Sequence, residues 1–300
     1  MTMRIIKPSV VTDSMLVSST ALENDFAVWA AGTAYAAGAK VIRLSTHRVY
    51  QRVVAGTTPA APELDAINWL DIAPTNRWAM FDEVVGTTTT LTEPLTVVLR
   101  PGSTGAVALL GLQGRRLRVT LKPAPGGEAV YDKVVVLDGT SINSFYDWFY
   151  TDFAQLSDVL LTDLQSHFVN AELTITVSGS AVNGCGVCKF GTPFEVGSVQ
   201  TGATVGIVDY SKKVVDAFGN YMIVKRAFSK RADLKIFTEA ARFNRIFQDL
   251  SEIRSTPCIF IAVESPDYAP LVIYGFYKDF SIDVVYPTIH LCSLSLEGLI

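Results

Sequence analysis

Cys185 and Cys188 are separated by two residues, the Cys-x-x-Cys spacing with which many zinc sites and redox disulfides begin. A tetrahedral zinc site needs further ligands, and neither a second Cys-x-x-Cys pair nor a nearby histidine supplies them. Cys258 and Cys292 stand alone in apparent strands, and no alternation of strands and helices surrounds the pair as in a redox domain. The sequence therefore predicts no metal and no cofactor, and leaves open a site that the pair completes between subunits.

Residues for other catalytic chemistry do not form a recognisable arrangement. His47, His167 and His290 are far apart, and no Gly-x-Ser-x-Gly segment presents a serine to any of them. Neither a phosphate-binding loop nor a dinucleotide fingerprint occurs. Glycoside cleavage needs two carboxylates, and four flank an aromatic cluster: Asp132, Asp138, Asp147 and Asp152. A chain with 29 acidic residues, however, contains many such pairs. We expect the protein not to be an enzyme, with glycoside cleavage as the remaining enzymatic alternative.

Composition limits the partners of the chain. Its 300 residues exceed the usual single domain, so two or three domains are expected. A hydrophobic fraction of 49% predicts folded cores, and a formal charge of −4 offers no general attraction to nucleic acid. No apolar run approaches the roughly twenty residues of a membrane span, and the first residues lack the apolar core of a signal peptide. We expect no nucleic-acid binding, no membrane insertion and assembly in a reducing cytoplasm.

An ordered set of aromatic and small residues lies within residues 26–76. The set is Trp29, Tyr35, Gly38, Val41, Tyr50, Pro59, Pro62 and Trp69. Its order resembles the compact chitin-binding and cellulose-binding modules of secreted glycosidases, in which two short hairpins pack around buried tryptophans. The resemblance implies a small β carbohydrate-binding-like module over residues 26–76 and a host cell-surface glycan as a partner. It also implies that Trp29, Tyr35, Tyr50 and Trp69 are the candidate carbohydrate-binding residues.

The segment 51–56 carries no aromatic residue, although those modules usually expose stacking tryptophans there. Pyranose rings are bound through flat aromatic surfaces. A module of about fifty residues has little else to bury besides its few large aromatics. We therefore expect Trp29, Tyr35, Tyr50 and Trp69 to form the miniature core, with ligand contact as the alternative for each.

Directly after the module, residues 76–82 read Asn-Arg-Trp-Ala-Met-Phe-Asp. This segment resembles a junction in tail proteins of bacterial viruses and prophages, where such a module precedes a β-rich structural body. The resemblance implies a baseplate or distal-tail type of protein. Residues 1–25, which contain Pro8 and a polar run, are expected to form an N-terminal arm or edge strand.

Residues 77–195 are expected to form an antiparallel, jelly-roll-like β-sandwich. Segments rich in β-branched residues, such as 95–99, 118–121 and 172–177, are separated by glycine and proline. This pattern favours a sandwich over alternating strands and helices.

The densest aromatic cluster of the chain spans residues 145–150 and contains Trp148. Aromatic density is typical of a core or a subunit interface, so we expect a loop and short helix that close one end of the sandwich. The alternative is a platform for sugars or for docking, in which Trp148 is a carbohydrate-binding residue.

The C-terminal residues 196–300 predict an α+β domain with one main helix. Gly219 and Asn220 favour a hairpin turn, and apolar residues at helical spacing predict a helix between Thr238, as N-cap, and Arg254. Further strands are expected at 258–263, 271–277, 280–286 and 291–296. One helix on a sheet that ends in a closing strand resembles the tube-type fold of phage tail tube and distal tail proteins. The resemblance implies a tail-tube-like assembly domain.

These features together predict a mainly β protein made of the small module, the sandwich and the C-terminal α+β domain. The expected function is that of a structural component of a phage or phage-like tail, located in the virion. Its expected partners are copies of itself in a cyclic homo-oligomer, other tail or baseplate proteins and a host-surface glycan. The alternative is a dedicated glycan-binding accessory, in which oligomerisation only adds avidity.

Overall fold

A computed structural model describes residues 2–140, 144–150, 155–165, 167–215, 218–264, 270–284 and 286–299. Strands make up 48% of the structure and helices 9%, so the fold is mainly β, with antiparallel sheets and one main helix, as predicted. Within these ranges, neither helix is long and apolar enough to cross a lipid bilayer. The chain divides into two compact units, one formed by Met1–Ser9 with Phe190–Ile300 and the other by Val10–Lys189.

The described residues form strands along the whole chain and two short α-helices. The strands are β1 (Thr2–Ile6), β2 (Leu16–Ser19), β3 (Ala34–Tyr35), β4 (Lys40–Arg43), β5 (Arg48–Arg52), β6 (Gly56–Thr57), β7 (Trp69–Pro74), β8 (Thr89–Leu91), β9 (Leu95–Leu99), β10 (Ala106–Leu110), β11 (Arg116–Lys122), β12 (Tyr131–Val136), β13 (Val159–Leu161), β14 (Glu172–Ser178), β15 (Asn183–Cys185), β16 (Val187–Gly191), β17 (Pro193–Val199), β18 (Thr204–Asp209), β19 (Lys212–Val215), β20 (Tyr221–Val224), β21 (Phe228–Glu239), β22 (Cys258–Ile261), β23 (Val272–Asp283) and β24 (Ile289–Gly298). The helices are α1 (Phe145–Tyr150) and α2 (Phe243–Glu252), and 3₁₀ turns occupy Pro62–Leu64, Ala79–Phe81 and Ala240–Arg242.

In the unit Val10–Lys189, the largest sheet has the strand order β12-β11-β14-β9-β2 and buries one face. Three rows of buried side chains cross β11, β14 and β9: Leu117 with Val177 and Leu95, Val119 with Ile175 and Val97, and Leu121 with Leu173 and Leu99. The opposite face is polar, and the hydroxyls of Thr96 and Thr176 lie 3.2 Å apart on it. This alternation of buried and polar residues is the period-2 pattern of an antiparallel sheet with one face on a core. A second sheet has the order β13-β10-β16, and β10 is buried from Ala106 to Leu109.

In the unit formed by Met1–Ser9 and Phe190–Ile300, six antiparallel strands pair in a closed ring. Their order is β17-β1-β22-β23-β24-β21, and β17 pairs again with β21 through Ser198 and Val199. β18 continues along the same edge of β21. The hydrogen-bonded ring therefore closes into a small barrel, which removes most of the free edges that an open sheet would present.

Alternating side chains of the barrel strands and one stripe of α2 share a single core. Its members include Met3, Ile5, Ala232, Leu234, Ile236, Ile246, Leu250, Phe260, Cys292, Leu294 and Leu296. The apolar spacing that predicted the helix places Ile246 and Leu250 in this core. The prediction of Thr238 as N-cap is wrong, because Thr238 is a buried strand residue whose hydroxyl donates to the Val196 carbonyl at 3.2 Å.

Two further segments differ from their predicted structure. Thr2–Ile6 pairs with β17 on one edge and with β22 on the other, so β1 is an interior strand where the sequence predicts an arm or edge strand. Two separate strands were expected at 271–277 and 280–286, but β23 runs through both. A β-bulge between Tyr277 and Asp279 absorbs the extra residue without a turn.

Candidate functional site

The four aromatic residues predicted in the module surround one small core. Tyr50 and Trp69 are buried together with Val41, and Trp29 and Tyr35 pack against them. The rings of Tyr35 and Trp69 meet edge to face, with centroids 5.2 Å apart. The predicted core role is confirmed, and Trp69, which is only 2% exposed, has no free face for a sugar.

Neighbouring side chains also contact the aromatic residues of this core. The guanidinium of Arg43 lies 4.8 Å from the centre of the Trp29 ring and donates to Glu63 at 3.0 and 2.6 Å. This hydrogen-bonded pair raises the pKa of Arg43 and lowers the pKa of Glu63. Val53 and Val54 are exposed at the positions expected for stacking tryptophans. The module core is therefore present without an aromatic platform beside it.

The junction segment after the module has a structural role in this unit. The side-chain amide of Asn76 donates to the Thr90 carbonyl and accepts from the Thr90 amide, both at 2.9 Å. Trp78 stacks on His47 with ring centroids 4.0 Å apart, and the fully buried Met80 donates its amide to the Thr89 hydroxyl at 3.0 Å. These contacts explain why the segment needs an amide, a flat ring and an apolar residue in this order.

His47 belongs to a polar cluster that the sequence did not reveal, because its partners are far away along the chain. One ring nitrogen lies 3.0 Å from Glu23 and the other 2.9 Å from Asp13. Glu23 also accepts a hydrogen bond from the Thr75 hydroxyl at 3.0 Å. This cluster ties the segment before the module to the module itself.

Trp148 lies on α1, whose rings are the most exposed aromatic group described in the structure. The exposed fraction is 68% for Trp148 and rises to 89% for Phe145, and the rings of Tyr146 and Tyr150 are 4.7 Å apart. The prediction that these rings close one end of the sandwich is wrong, because the rings are exposed and so cover no core. Among the described residues, no ring contact joins Trp148 to the module aromatics. The docking or stacking alternative is the one that the exposure favours.

The segment that carries α1 begins and ends at a bridge between Asp138 and Gln155. A cleft of about 600 Å³ lies at this bridge and is lined by Gly114, Arg115, Val136, Leu137, Asp138, Gln155 and Ser180. A hydrogen bond from Thr140 lowers the pKa of Asp138, and the hydrogen bond from Arg118 lowers that of Asp132. The general acid of a glycosidase needs a raised pKa, so these two carboxylates have the opposite environment. Asp152 and the side chain of Asp147, the other two candidates, lie outside the described residues.

Cys185 and Cys188 are both fully buried. The Cys185 thiol lies 3.6 Å from the Val187 carbonyl, which accepts its weak hydrogen bond. In the part of the chain that the structure describes, no three His, Cys, Asp or Glu residues are grouped to hold a metal ion. Because no thiol surface is exposed, a ligand from a second subunit reaches the pair only if the strands open.

Burial should make all four cysteines unreactive in the native protein. It raises the pKa of Cys185 well above its usual value, that of Cys188 and Cys258 to about 12 and that of Cys292 to about 11. The thiolate is the reactive form. We expect a disulfide reagent at pH 8 to titrate less than about one thiol per chain before unfolding and all four afterwards.

The same thiols predict a loss of stability in alkali. Between the unfolded value of 9.0 and the folded values, the native chain holds more protons than the unfolded chain. The free energy of unfolding should therefore fall as pH rises above about 9. Urea unfolding at pH 8 and pH 10.5 measures this effect, with Cys292→Ala as the control that loses part of it. Equal stability of the wild type at both pH values would contradict the prediction.

The hairpin β19–β20 is the most unusual surface in the barrel-forming unit. The turn predicted at Gly219 and Asn220 is confirmed, since β19 and β20 pair directly across it. Every residue of both strands is exposed. Paired residues share a face, so one face carries Val214, Met222 and Val224 and the other carries Val215, Tyr221 and Ile223. Each face also carries one lysine, Lys212 or Lys213, at the base of the hairpin. Strands that are largely apolar on both faces are usually buried on both faces.

The hairpin was predicted as structure but not as a functional surface. The available signal was its continuous apolar sequence, which lacks the alternation of a half-exposed strand. No family model matches the chain, and no curated protein matches it at a significant level.

Proposed function

We propose that the protein is a structural subunit of a phage or phage-like tail, of the baseplate or distal-tail type, and that it assembles into a cyclic homo-oligomer in the virion. The single observation that supports this proposal most is the hairpin β19–β20. An isolated two-stranded hairpin is marginally stable in water. This one exposes apolar side chains on both faces, which favours burial against other subunits.

Because the hairpin is exposed on both faces, it favours a ring of subunits over a dimer. One hairpin from a second copy would cover one face and leave the other in water. A hairpin inserted into a recess of the next subunit has both faces covered, and such a head-to-tail contact closes into a ring when the rotation permits. Lys212, Lys213, Lys225 and Arg226 stand at the base of the hairpin, so the receiving surface is expected to be acidic.

The remaining regions have supporting roles in this proposal. The closed barrel with α2 serves as the tail-tube-like assembly domain, and residues 77–189 serve as a jelly-roll-like body. The module of residues 26–76 is displayed for attachment to a host-surface glycan. Other tail or baseplate proteins would bind the surfaces that the ring leaves free.

Assembly is tested on the purified full-length chain. Light scattering should give a mass that is a multiple of 32.6 kDa, and electron microscopy should show closed rings. The proposal would be overturned if the protein is monomeric at all accessible concentrations and is also absent from purified phage particles.

A dedicated glycan-binding accessory is the second candidate, and the exposed rings of α1 favour it. Replacing Trp148 with alanine should weaken binding to host-surface polysaccharide by roughly fivefold per site, because a stacked aromatic contributes on the order of 1 kcal/mol. The measurement is a binding titration on immobilised polysaccharide. Leu64→Ala, at an exposed apolar residue of the module, is the control. Equal binding by both variants and the wild type would exclude α1 as the sugar-binding surface.

A further inference from the structure

Arg52 is a buried cation without a described counter-ion. It ends β5, is only 3% exposed, and lies opposite Trp69 across the β5–β7 pair. Its guanidinium sits 5.1 Å from the centre of the Trp69 ring. Among the described residues, no carboxylate lies within ion-pair distance of it. A buried charge of this kind is destabilising unless a partner neutralises it.

The acidic residues of the module are already engaged elsewhere. Glu63 pairs with Arg43 at 2.6 Å, and Asp71 pairs with Arg48 at 2.8 Å. Asp65 accepts from the side chain of Asn68 at 2.9 Å. Each of the three carboxylates in residues 26–76 therefore has another partner in the structure, and none of them pairs with Arg52.

The unused part of the guanidinium is its planar fork. Nη1 donates to the Thr58 hydroxyl at 3.1 Å, whereas the buried Nε has no hydrogen-bond partner. Nε and Nη2 form the edge that binds the two oxygens of a carboxylate or phosphate side by side. Gly56 borders this edge, since a Cβ added there would lie 3.7 Å from Nη2. The φ of +146° at this position favours glycine, so no side chain at position 56 covers the Nη2 end of the fork.

We propose that Arg52 is the centre of an anion-binding site in the module, and that its ligand is a carboxylate or phosphate group carried on a surface polysaccharide. The choice of a polysaccharide as the ligand rests on the proposed adhesive role of the module, whereas the anion-binding site itself does not depend on that role. The exposed turn at Val53 and Val54 separates Arg52 from Gly56. The proposal requires this turn to move aside so that the ligand reaches the buried Nε. Charge thus replaces the aromatic stacking that this module lacks.

Calorimetric titration of the full-length protein tests the proposal with three probes: trigalacturonate, inorganic phosphate and the neutral chitotriose. We expect at least one anionic probe to bind tenfold or more tightly than chitotriose. Binding of trigalacturonate alone identifies an acidic sugar as the ligand, and binding of phosphate alone identifies a phosphorylated polymer. Arg52→Lys keeps the charge but removes the fork, so it should weaken binding by about tenfold or more. Arg48→Lys, on the same strand and already paired with Asp71, should bind like the wild type.

Nuclear magnetic resonance on the wild-type protein tests the site even if the Arg52→Lys variant does not fold. The Nε–H resonance of Arg52 in the isotope-labelled wild-type protein should shift on titration with the anionic probe and stay unchanged with chitotriose. An unmoved resonance, or equal binding of acidic and neutral probes, would overturn the site. Light scattering on the same samples reports assembly separately. Rings that bind no anion would refute this site alone, and a monomer that binds the anion through Arg52 would refute only the assembly.

Discussion

Replacing Ile223 and Val224 together with aspartate should convert the assembled protein to a 32.6 kDa monomer. These two residues lie on opposite faces of the hairpin, so both apolar faces acquire a charge. Each new carboxylate stands opposite a lysine, Lys213 for Ile223 and Lys212 for Val224, and the hairpin pairing is therefore preserved. We expect the double substitution to weaken only the contact with neighbouring subunits.

The expected effect on assembly is large. Burying a Val or Ile side chain contributes about 1.5–3 kcal/mol, and two such losses correspond to a weakening of roughly 10² to 10⁴ in the dissociation constant. Analytical ultracentrifugation over a concentration series measures the change. Val134→Asp is the matched control. Val134 is also an exposed valine, and its partner on the adjacent strand β11 is the cationic residue Arg118. If the double variant keeps the wild-type mass, the hairpin does not carry the assembly.

Replacing Trp69 with alanine should lower the free energy of unfolding of the module by about 3–5 kcal/mol, the range found when a large buried aromatic is truncated. The ring is 2% exposed, supports Tyr35 at its edge and covers the guanidinium of Arg52. Its loss removes the largest member of a core that has only a few members.

The next residue of the same strand provides the control. Leu70 is 58% exposed, so Leu70→Ala should change the free energy of unfolding by less than about 0.5 kcal/mol. Chemical denaturation followed by near-ultraviolet circular dichroism, with limited proteolysis within residues 26–76, measures both variants. A Trp69→Ala protein as stable as Leu70→Ala would show that the ring is not part of the core.

Local features of the fold were predictable because local sequence determines them. The period-2 alternation at 172–177 and the helical spacing of Ile246 and Leu250 reflect which faces of a strand or helix must leave water. The turn at Gly219 needs a positive φ, which is +86° in the structure, and glycine adopts it without strain. The aromatic residues of the module were expected in its core for a similar reason, since so small a module has little else to bury.

The pairing of strands that are far apart along the chain could not be predicted from the sequence. Nothing near Thr2–Ile6 indicates that it lies between β17 and β22, because its partners are about two hundred residues away and hydrogen bonding between backbones carries no residue code. The closure of the barrel through Ser198 and Val199 is decided in the same way. Thr238 shows the conflict directly, since a good N-cap residue became a buried strand residue when β21 paired with β17 and β24.

The candidate sites also depend partly on local sequence and partly on long-range packing. The sequence by itself determined a mainly β chain, a miniature aromatic core around Trp69 and an aromatic cluster at Trp148, because residue type and spacing are enough for these. Only the tertiary structure decided that Trp148 and both faces of the β19–β20 hairpin are exposed, and that Arg52 is buried with no carboxylate partner among the described residues. Burial and charge pairing depend on which distant segments meet, and that is settled by packing of the whole chain rather than by any local run of residues.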